Sequence, residues 1–162
     1  MSGPLQEIRI LDISTLIAAP LAGTLLADYG AEVVKVELTD LGDGLRSFPP
    51  FKDGRSLWWK VANRNKRLVS LDLRKEEGVE LFLGMLPKFD VLLENFRPGT
   101  LERWGLSKER LWAVNPNLVI LRATAFGQTG PYKNKPGFAR IFEAMSGLTY
   151  MTGDPDRTPM HN

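Results

Sequence analysis

Two arginines on either side of a Pro-Gly break are the side chains best suited to bind an anion. Arg97 precedes Pro98 and Gly99, and Arg103 follows them in a predicted helix start. The planar guanidinium of arginine can donate two parallel hydrogen bonds to a phosphate. The same stretch could equally be a solvated connection between a strand and a helix, because Asn, Pro and Gly are common in such turns.

The composition argues against several other chemistries. The chain has no cysteine, which removes disulfides, thiolate metal ligands and cysteine nucleophiles. Its single histidine, His161, is the second-last residue, so we expect neither a Ser-His-Asp site nor a bound metal. With 21 basic and 19 acidic residues, the net charge is +2. This balance predicts no nucleic-acid partner.

The sequence also predicts a cytoplasmic protein without a membrane partner. The lack of cysteine is compatible with a reducing compartment. No uncharged run approaches the roughly 18 residues that a spanning helix needs. Residues 13–27 are uncharged, but Glu7 and Asp12 precede them where a signal peptide would be basic, and Pro20 interrupts them.

Strands and helices are expected to alternate along the chain. Apolar, β-branched runs predict strands at residues 8–13, 31–37, 68–73, 91–93 and 118–123. Helices are predicted between them, from Pro20 to Gly30 and at 75–86 and 107–115, with a last helix at 138–147. This alternation predicts an α/β protein with a parallel, doubly wound sheet.

Other stretches are predicted to connect these elements. Residues 38–60 form a long polar excursion, and residues 63–67 form a basic turn that could be solvated or could face a phosphate. The first turn lacks both G-x-G-x-x-G and a P-loop. The Ala18-Ala19-Pro20 turn could accept an anion at a helix N-terminus or be only a tight turn.

The turns that follow the predicted strands carry unusual residues. Thr15, Arg74, Asn95 and Arg97 each come after a strand, as does the glycine-rich loop at 127–130. The carboxyl ends of parallel strands meet at one edge of the sheet, and ligands bind there. Because these turns are expected to meet at one edge, the sequence favours a ligand site there over a set of unrelated solvated turns.

Several longer motifs follow one another along the chain. They are RILDIS followed by AAP, LLADYGAEVVKVE, NRNKRLVSLDL, LLENFRPGTLERWGL, FGQTGPY and EAMSGL. Taken in order, these motifs resemble the N-terminal part of the class III CoA-transferases, the family of formyl-CoA transferase, carnitine CoA-transferase and α-methylacyl-CoA racemase. The resemblance covers essentially the whole chain.

This resemblance implies a Rossmann-like large domain that binds coenzyme A in an interlocked homodimer. It implies transfer of CoA between an acyl-CoA thioester and a carboxylic acid. In that reaction an aspartate attacks the thioester and passes through a mixed anhydride and an aspartyl-CoA thioester. Residues 1–162 then correspond to one incomplete CoA-binding domain, without the small domain and the C-terminal return of the chain.

The resemblance also places coenzyme A against particular residues. The first-strand turn contributes Thr15, Leu16, Ile17 and Ala18. The nucleotide end meets Leu71 and Arg74. The diphosphate and pantetheine region meets Asn95, Phe96 and Arg103, with Arg97 nearby. Phe138 is expected along the pantetheine arm.

Three residues of the chain depart from the family pattern. Leu38 stands where the family often has an arginine beside the adenine, so stacking of the adenine there is in question. Phe138 and Ala139 stand where the racemase branch has a His-Asp pair, which argues against racemase chemistry.

The nucleophilic aspartate of the family is expected just beyond Asn162. Asp154 and Asp156 are interpreted as turn residues in GDPDRTP, not as nucleophiles. The chain is therefore predicted to be an N-terminal fragment or a truncated gene product that is inactive alone. The alternatives are a non-catalytic CoA- or nucleotide-binding module and a truncated product without a stable fold.

Overall fold

The computed structural model describes residues 3–160, and His161 lies outside this range. The chain divides into two compact units. The first ends at Ala123 and the second begins at Thr124.

The strands of the main sheet are separated by helices through the first unit, as predicted, and a short hairpin is added after the second strand. In chain order its elements are β1 (Arg9–Asp12), α1 (Ala18–Asp28), β2 (Glu32–Glu37), β3 (Phe51–Lys52), β4 (Arg55–Ser56), α2 (Leu57–Ala62), β5 (Lys66–Ser70), α3 (Glu76–Met85), β6 (Val91–Glu94), α4 (Thr100–Arg103), α5 (Lys108–Val114) and β7 (Val119–Arg122). The second unit contains α6 (Ala139–Met145) and α7 (Leu148–Met151).

Five strands form one parallel sheet in the order β5-β2-β1-β6-β7. Strand β1 is central, with Leu11 paired to Val34 on one side and Leu92 on the other. From β1 the chain adds β2 and β5 on one side, and it then returns to add β6 and β7 on the other side. This is the strand order of a Rossmann sheet, and its switch point lies between β1 and β6. The predicted parallel α/β sheet is confirmed.

Helices cover both faces of the sheet because alternate strand residues point to opposite sides. Ile10 packs on one face in a cluster with Ala27 of α1. Leu11 and Leu92 pack on the other face in a cluster with Phe82 of α3. All five side chains are at least 95% buried. The sheet is therefore doubly wound, as the near-continuous apolar runs of its strands require.

The excursion at residues 38–60 is more ordered than predicted. It contains the β3–β4 hairpin and the start of α2, where the Ser56 hydroxyl accepts a hydrogen bond from the backbone N–H of Trp59 at 3.2 Å. Strand β5 was predicted at residues 68–73 but begins at Lys66 and ends at Ser70. It begins early because Lys66 and Arg67 pair in register with β2, although their charges resemble a turn.

Candidate functional site

A pocket opens at the carboxyl edge of the sheet, where β1, β2, β5 and β6 end. Its lining comes from Ile13, Ser14, Thr15, Val36, Glu37, Leu38, Gly42, Asp43, Leu71, Leu73, Arg74, Phe96 and Trp104. The enclosed space is about 90 Å³. Small-molecule pockets are usually roughly 300 Å³ or larger. A nucleotide bound here would therefore lie largely across the rim of the pocket.

The two strands at the switch point are joined by the side chain of Asn95. Its Oδ1 accepts a hydrogen bond from the backbone N–H of Thr15 at 2.8 Å, and its Nδ2 donates to the carbonyl oxygen of Thr15 at 2.8 Å. The turn after β6 thus holds the turn after β1 in place. Asn95 is predicted to contact a ligand, and this pair of hydrogen bonds gives its amide a structural role as well.

Buried acidic and basic groups hold the backbone beneath the pocket. Asp12 accepts hydrogen bonds from both the backbone N–H and the hydroxyl of Ser14. The Nζ of Lys35 donates to the carbonyl oxygen of Ser14 at 2.7 Å. Lys66 pairs with Asp12 at 2.8 Å and also donates to the carbonyl oxygen of Pro20 at 2.6 Å. The first turn of α1 is thereby tied to β1 and β5.

Leu16 lies in the left-handed region, with φ of 63°. This conformation is unfavourable for a branched side chain, so the surroundings must impose it. The Oδ1 of Asp43 accepts a hydrogen bond from the backbone N–H of Leu16 at 3.0 Å and another from that of Leu45 at 2.9 Å. Asp43 is itself paired with Lys35, whose Nζ lies 2.9 Å from its Oδ2. Both side chains are essentially inaccessible to solvent.

Glu37 ends β2 and is surrounded by hydrogen-bond donors. Its Oε2 accepts from the backbone N–H of Asp43 at 3.0 Å and from Nε of Arg46 at 2.6 Å. Its Oε1 accepts from the indole N–H of Trp59 at 3.2 Å. The guanidinium carbon of Arg46 lies 3.6 Å from the centroid of the Trp59 ring. Arg46 is therefore held by both an ion pair and a cation–π contact.

Arg74 lies on the pocket lining and is held by Asp72. Its Nε donates to Oδ1 of Asp72 at 2.7 Å and its Nη2 donates to Oδ2 at 2.8 Å. These bonds lower the pKa of Asp72 to about 2. The pairing fixes the direction of the guanidinium and leaves other N–H groups available to an anion.

Glu94 positions the aromatic part of the lining. Its Oε2 accepts from the backbone N–H of Phe96 at 2.7 Å, and its Oε1 accepts from Nε of Arg122 at 2.6 Å. Arg122 also donates to Glu102 at 2.8 Å. Burial raises the pKa of Glu94 in spite of these donors. The Phe96 ring packs edge-to-face against Trp104, with centroids 5.0 Å apart.

The predicted site residues fall into distinct groups. Thr15, Leu71, Arg74 and Phe96 line the pocket together. Leu16, Ile17 and Asn95 lie in the turns beside it, and Ala18 is the first residue of α1. Arg97 and Arg103 are exposed outside the lining, and Arg103 donates to the hydroxyl of Thr100 at 2.9 Å. Phe138 is the N-cap residue of α6 in the second unit and is 70% exposed.

Reasoning from the sequence did not identify the charged groups that hold the turns around the pocket in place. Lys35 and Glu37 sit in an apolar strand, and Asp43 and Arg46 lie in the stretch interpreted as an excursion. A lysine inside the run Val33–Val36 was a signal, because a charge buried in a sheet needs a partner. The partner itself could not be read from the spacing, since it comes from a loop.

Residues 3–160 lack two structural features. Within them there is no group of three or more His, Cys, Asp or Glu side chains placed to hold a metal ion. No helix in the same range has the length and apolar character needed to cross a membrane.

The strand order and the pocket at the switch point define a Rossmann-like α/β domain, a class that binds nucleotides at this edge. The model of CoA-transferase family III matches residues 5–162. The chain belongs to this family, so the resemblance to class III CoA-transferases is confirmed.

Relatives with named activities agree with this assignment. The chain is 50% identical over 157 residues to the succinyl-CoA–D-citramalate CoA-transferase of Chloroflexus aurantiacus, a match that covers 96% of this chain and 39% of that protein. It is 38% identical to the acetyl-CoA:oxalate CoA-transferase of Acetobacter aceti, covering 97% of this chain and 40% of that protein. The chain thus spans about 40% of the length of these relatives.

A solved structure matches the fold closely. The crystal structure of a CAIB/BAIF family protein from Brucella suis is 36% identical, with a TM-score of 0.94. The match covers 100% of this chain and 44% of that one.

Proposed function

We propose that this chain forms the CoA-binding part of an enzyme that moves CoA between an acyl-CoA thioester and a carboxylic acid. The observation that carries the proposal is the meeting of Thr15, Leu71, Arg74 and Phe96 at one pocket. These residues come from turns far apart in sequence, and each was expected against coenzyme A. The apolar lining suits the uncharged parts of the ligand, and Arg74 supplies a fixed positive charge for a phosphate.

The proposed reaction needs a carboxylate nucleophile. An aspartate attacks the thioester carbonyl and forms a mixed anhydride as the CoA thiolate leaves. The thiolate then attacks the aspartyl carbonyl, which releases the donor acid and leaves an aspartyl-CoA thioester. The acceptor acid takes up CoA by the same two steps in reverse. We assign the nucleophile to sequence beyond Asn162, and the turn residues Asp154 and Asp156 have no catalytic role in this proposal.

The proposal extends to partners and location. We propose an interlocked homodimer in the cytoplasm, with no metal in the reaction. Succinyl-CoA is the first donor to test, because the similar enzymes of Chloroflexus aurantiacus are named for it. A dicarboxylic acid is the corresponding first acceptor.

Calorimetric titration of the 162-residue chain with CoA tests binding, and Arg74→Gln tests the site. We expect Arg74→Gln to weaken CoA binding roughly tenfold or more, because it removes a charge-assisted contact. Arg110→Gln, on an exposed arginine that is paired with Glu80 outside the lining, serves as the control and should bind CoA normally. Equal effects of the two substitutions would contradict the proposed position of the ligand.

Transfer activity separates the enzyme from its main alternative, a CoA-binding module without catalysis. We expect no CoA transfer from succinyl-CoA by residues 1–162. We expect transfer by a chain extended through the proposed aspartate, and loss of that activity when the aspartate is replaced by alanine. Binding without transfer in the extended chain would favour the module.

A further inference from the structure

The end of β2 differs from the ribose site of ordinary dinucleotide-binding sheets. In those sheets an acidic residue about 20 positions after the first turn accepts a hydrogen bond from a ribose hydroxyl. Glu37 occupies this place but is only 8% exposed. Its oxygens already accept hydrogen bonds from Asp43, Arg46 and Trp59. Burial and these three hydrogen bonds use most of the acceptor capacity of Glu37 and leave little of it for a ribose.

Arg46 places a positive charge beside Glu37 at the end of β2. Its side chain is 42% exposed, although its Nε is paired with Glu37 and its guanidinium lies over the ring of Trp59. The hydrogen bond to Glu37 uses Nε, and within residues 3–160 neither terminal nitrogen has a protein hydrogen-bond partner. A guanidinium held in this way loses little freedom when it binds an anion.

Gly42 allows Arg46 to reach the pocket. Gly42 lines the pocket and has φ of 62°. A Cβ at this position would lie 2.7 Å from Cδ and 2.9 Å from Nε of Arg46, and 2.9 Å from Oε2 of Glu37. Any other residue would thus displace the arginine and its carboxylate partner. Arg46 is not itself among the lining residues, but its side chain lies against two of them, Gly42 and Glu37.

The acidic groups nearby do not cancel this site. Asp43 is paired with Lys35 and Asp72 with Arg74, whereas Glu37 is the carboxylate that holds Arg46 itself through Nε. The pKa of Arg74 is raised mainly by its hydrogen bonds to Asp72, with a smaller contribution from the exposed Asp40. Within residues 3–160, Arg46 thus keeps more N–H groups free of carboxylate partners than Arg74, which uses both Nε and Nη2 on Asp72.

We propose that Arg46 binds a phosphate carried on the ribose of the bound nucleotide, which in coenzyme A is the 3′-phosphate. This inference rests on the proposed function. Arg46 would then distinguish CoA from nucleotides with an unmodified ribose. Its guanidinium can donate hydrogen bonds to a phosphate, which a carboxylate at the end of β2 could not do.

The test is calorimetric titration of the 162-residue chain with CoA and with dephospho-CoA, which has a free 3′-hydroxyl. We expect dephospho-CoA to bind at least tenfold more weakly. Arg46→Gln should weaken CoA binding to the level of dephospho-CoA and leave the affinity for dephospho-CoA unchanged. Arg64→Gln is a matched control, because Arg64 is also 42% exposed and paired with a carboxylate, Asp28, outside the pocket lining.

Two results would overturn the inference while leaving the proposed function in place. One is equal affinity of the unaltered chain for CoA and dephospho-CoA, a comparison that needs no variant. The other is an equal loss for both ligands in Arg46→Gln, which would indicate a merely structural arginine. Arg46→Lys, which keeps the charge without the fork, should bind CoA with intermediate affinity.

Adenosine bisphosphates distinguish failure of the inference from failure of the proposed function. Adenosine 3′,5′-bisphosphate should bind better than adenosine 2′,5′-bisphosphate. The chain could instead prefer adenosine 2′,5′-bisphosphate, through Arg46, and fail to bind CoA. That result would contradict the proposed function but would still indicate a site for a phosphorylated ribose. Absence of binding by all four ligands would overturn both.

Discussion

Asn95 and Thr15 are joined by two reciprocal hydrogen bonds, each 2.8 Å long, across 80 positions of sequence. A side-chain amide here imitates the pairing of two backbones at the place where β1 and β6 have stopped pairing. Beyond the last backbone hydrogen bond between the strands, from Ile13 to Leu93 at 3.0 Å, Asn95 continues to hold the two strand ends together. Because the pocket lies against the same strand ends, its shape depends on this pair.

Asn95→Asp should destabilise the protein by about 1–3 kcal/mol, because a carboxylate oxygen would replace the donor that faces the carbonyl of Thr15. Urea denaturation at neutral pH measures the change. Asn117→Asp is the control, since Asn117 is exposed and its effect should stay within about 0.5 kcal/mol. Similar losses in both variants would mean that the amide pair has no special weight.

Gly78→Ala and Gly84→Ala should act in opposite directions although both lie in α3. A Cβ at Gly78 would lie 2.0 Å from the carbonyl oxygen of Asp72, whereas a Cβ at Gly84 meets no atom within 4 Å. We expect Gly78→Ala to destabilise by about 1–3 kcal/mol and Gly84→Ala to stabilise by about 0.5–1 kcal/mol. Thermal unfolding of both variants checks this, and a stable Gly78→Ala protein would contradict the close packing of α3 on that turn.

Lys35→Met should cost about 3–5 kcal/mol, because it leaves the buried carboxylate of Asp43 without its partner. The double variant Lys35→Met/Asp43→Asn removes both charges and should recover a large part of that loss. Chemical denaturation of the two variants gives the comparison. A double variant that is less stable than Lys35→Met would show that Asp43 stabilises the fold without its lysine.

The pKa of Asp72 should be measured at about 2 by carbon NMR of its carboxyl group. Because this value lies below that of the unfolded chain, Asp72 stabilises the fold at pH values above about 4. The stabilisation is lost as the pH falls towards about 2. In Arg74→Gln the pKa should return towards 3.8, whereas Arg103→Gln should leave it low. An unchanged pKa in Arg74→Gln would contradict the assigned cause.

The fold was predictable because its strands are continuous apolar runs separated by helices. Runs such as the one around Ile10 can be buried only between two layers, and that requirement leads to a doubly wound sheet. The prediction failed where it was based on a short cluster of basic residues, which was interpreted as a turn. Lys66 resembled part of a basic turn, but its stem lies within β5 and its ammonium group pairs with Asp12 inside the protein.

The site was predictable only in part. Arg97 and Arg103 were the conspicuous arginines, yet they lie outside the pocket lining, while Arg46 in the long excursion lies against it. Position relative to the sheet edge depends on how a loop returns to the strands. That return is set by contacts such as those of Asp43 with Leu16 and Lys35, which join residues without a fixed spacing.

The central place of β1 in the sheet has a consequence for the order of synthesis. Its neighbour β2 is complete at Glu37, but its other neighbour β6 ends only at Glu94. A ribosome that adds about 5–20 residues per second leaves that edge of β1 unpaired for roughly 3–11 s. During this interval the apolar edge around Ile10 and Leu11 is open to other chains. The nascent protein should therefore depend on chaperones most strongly before β6 emerges.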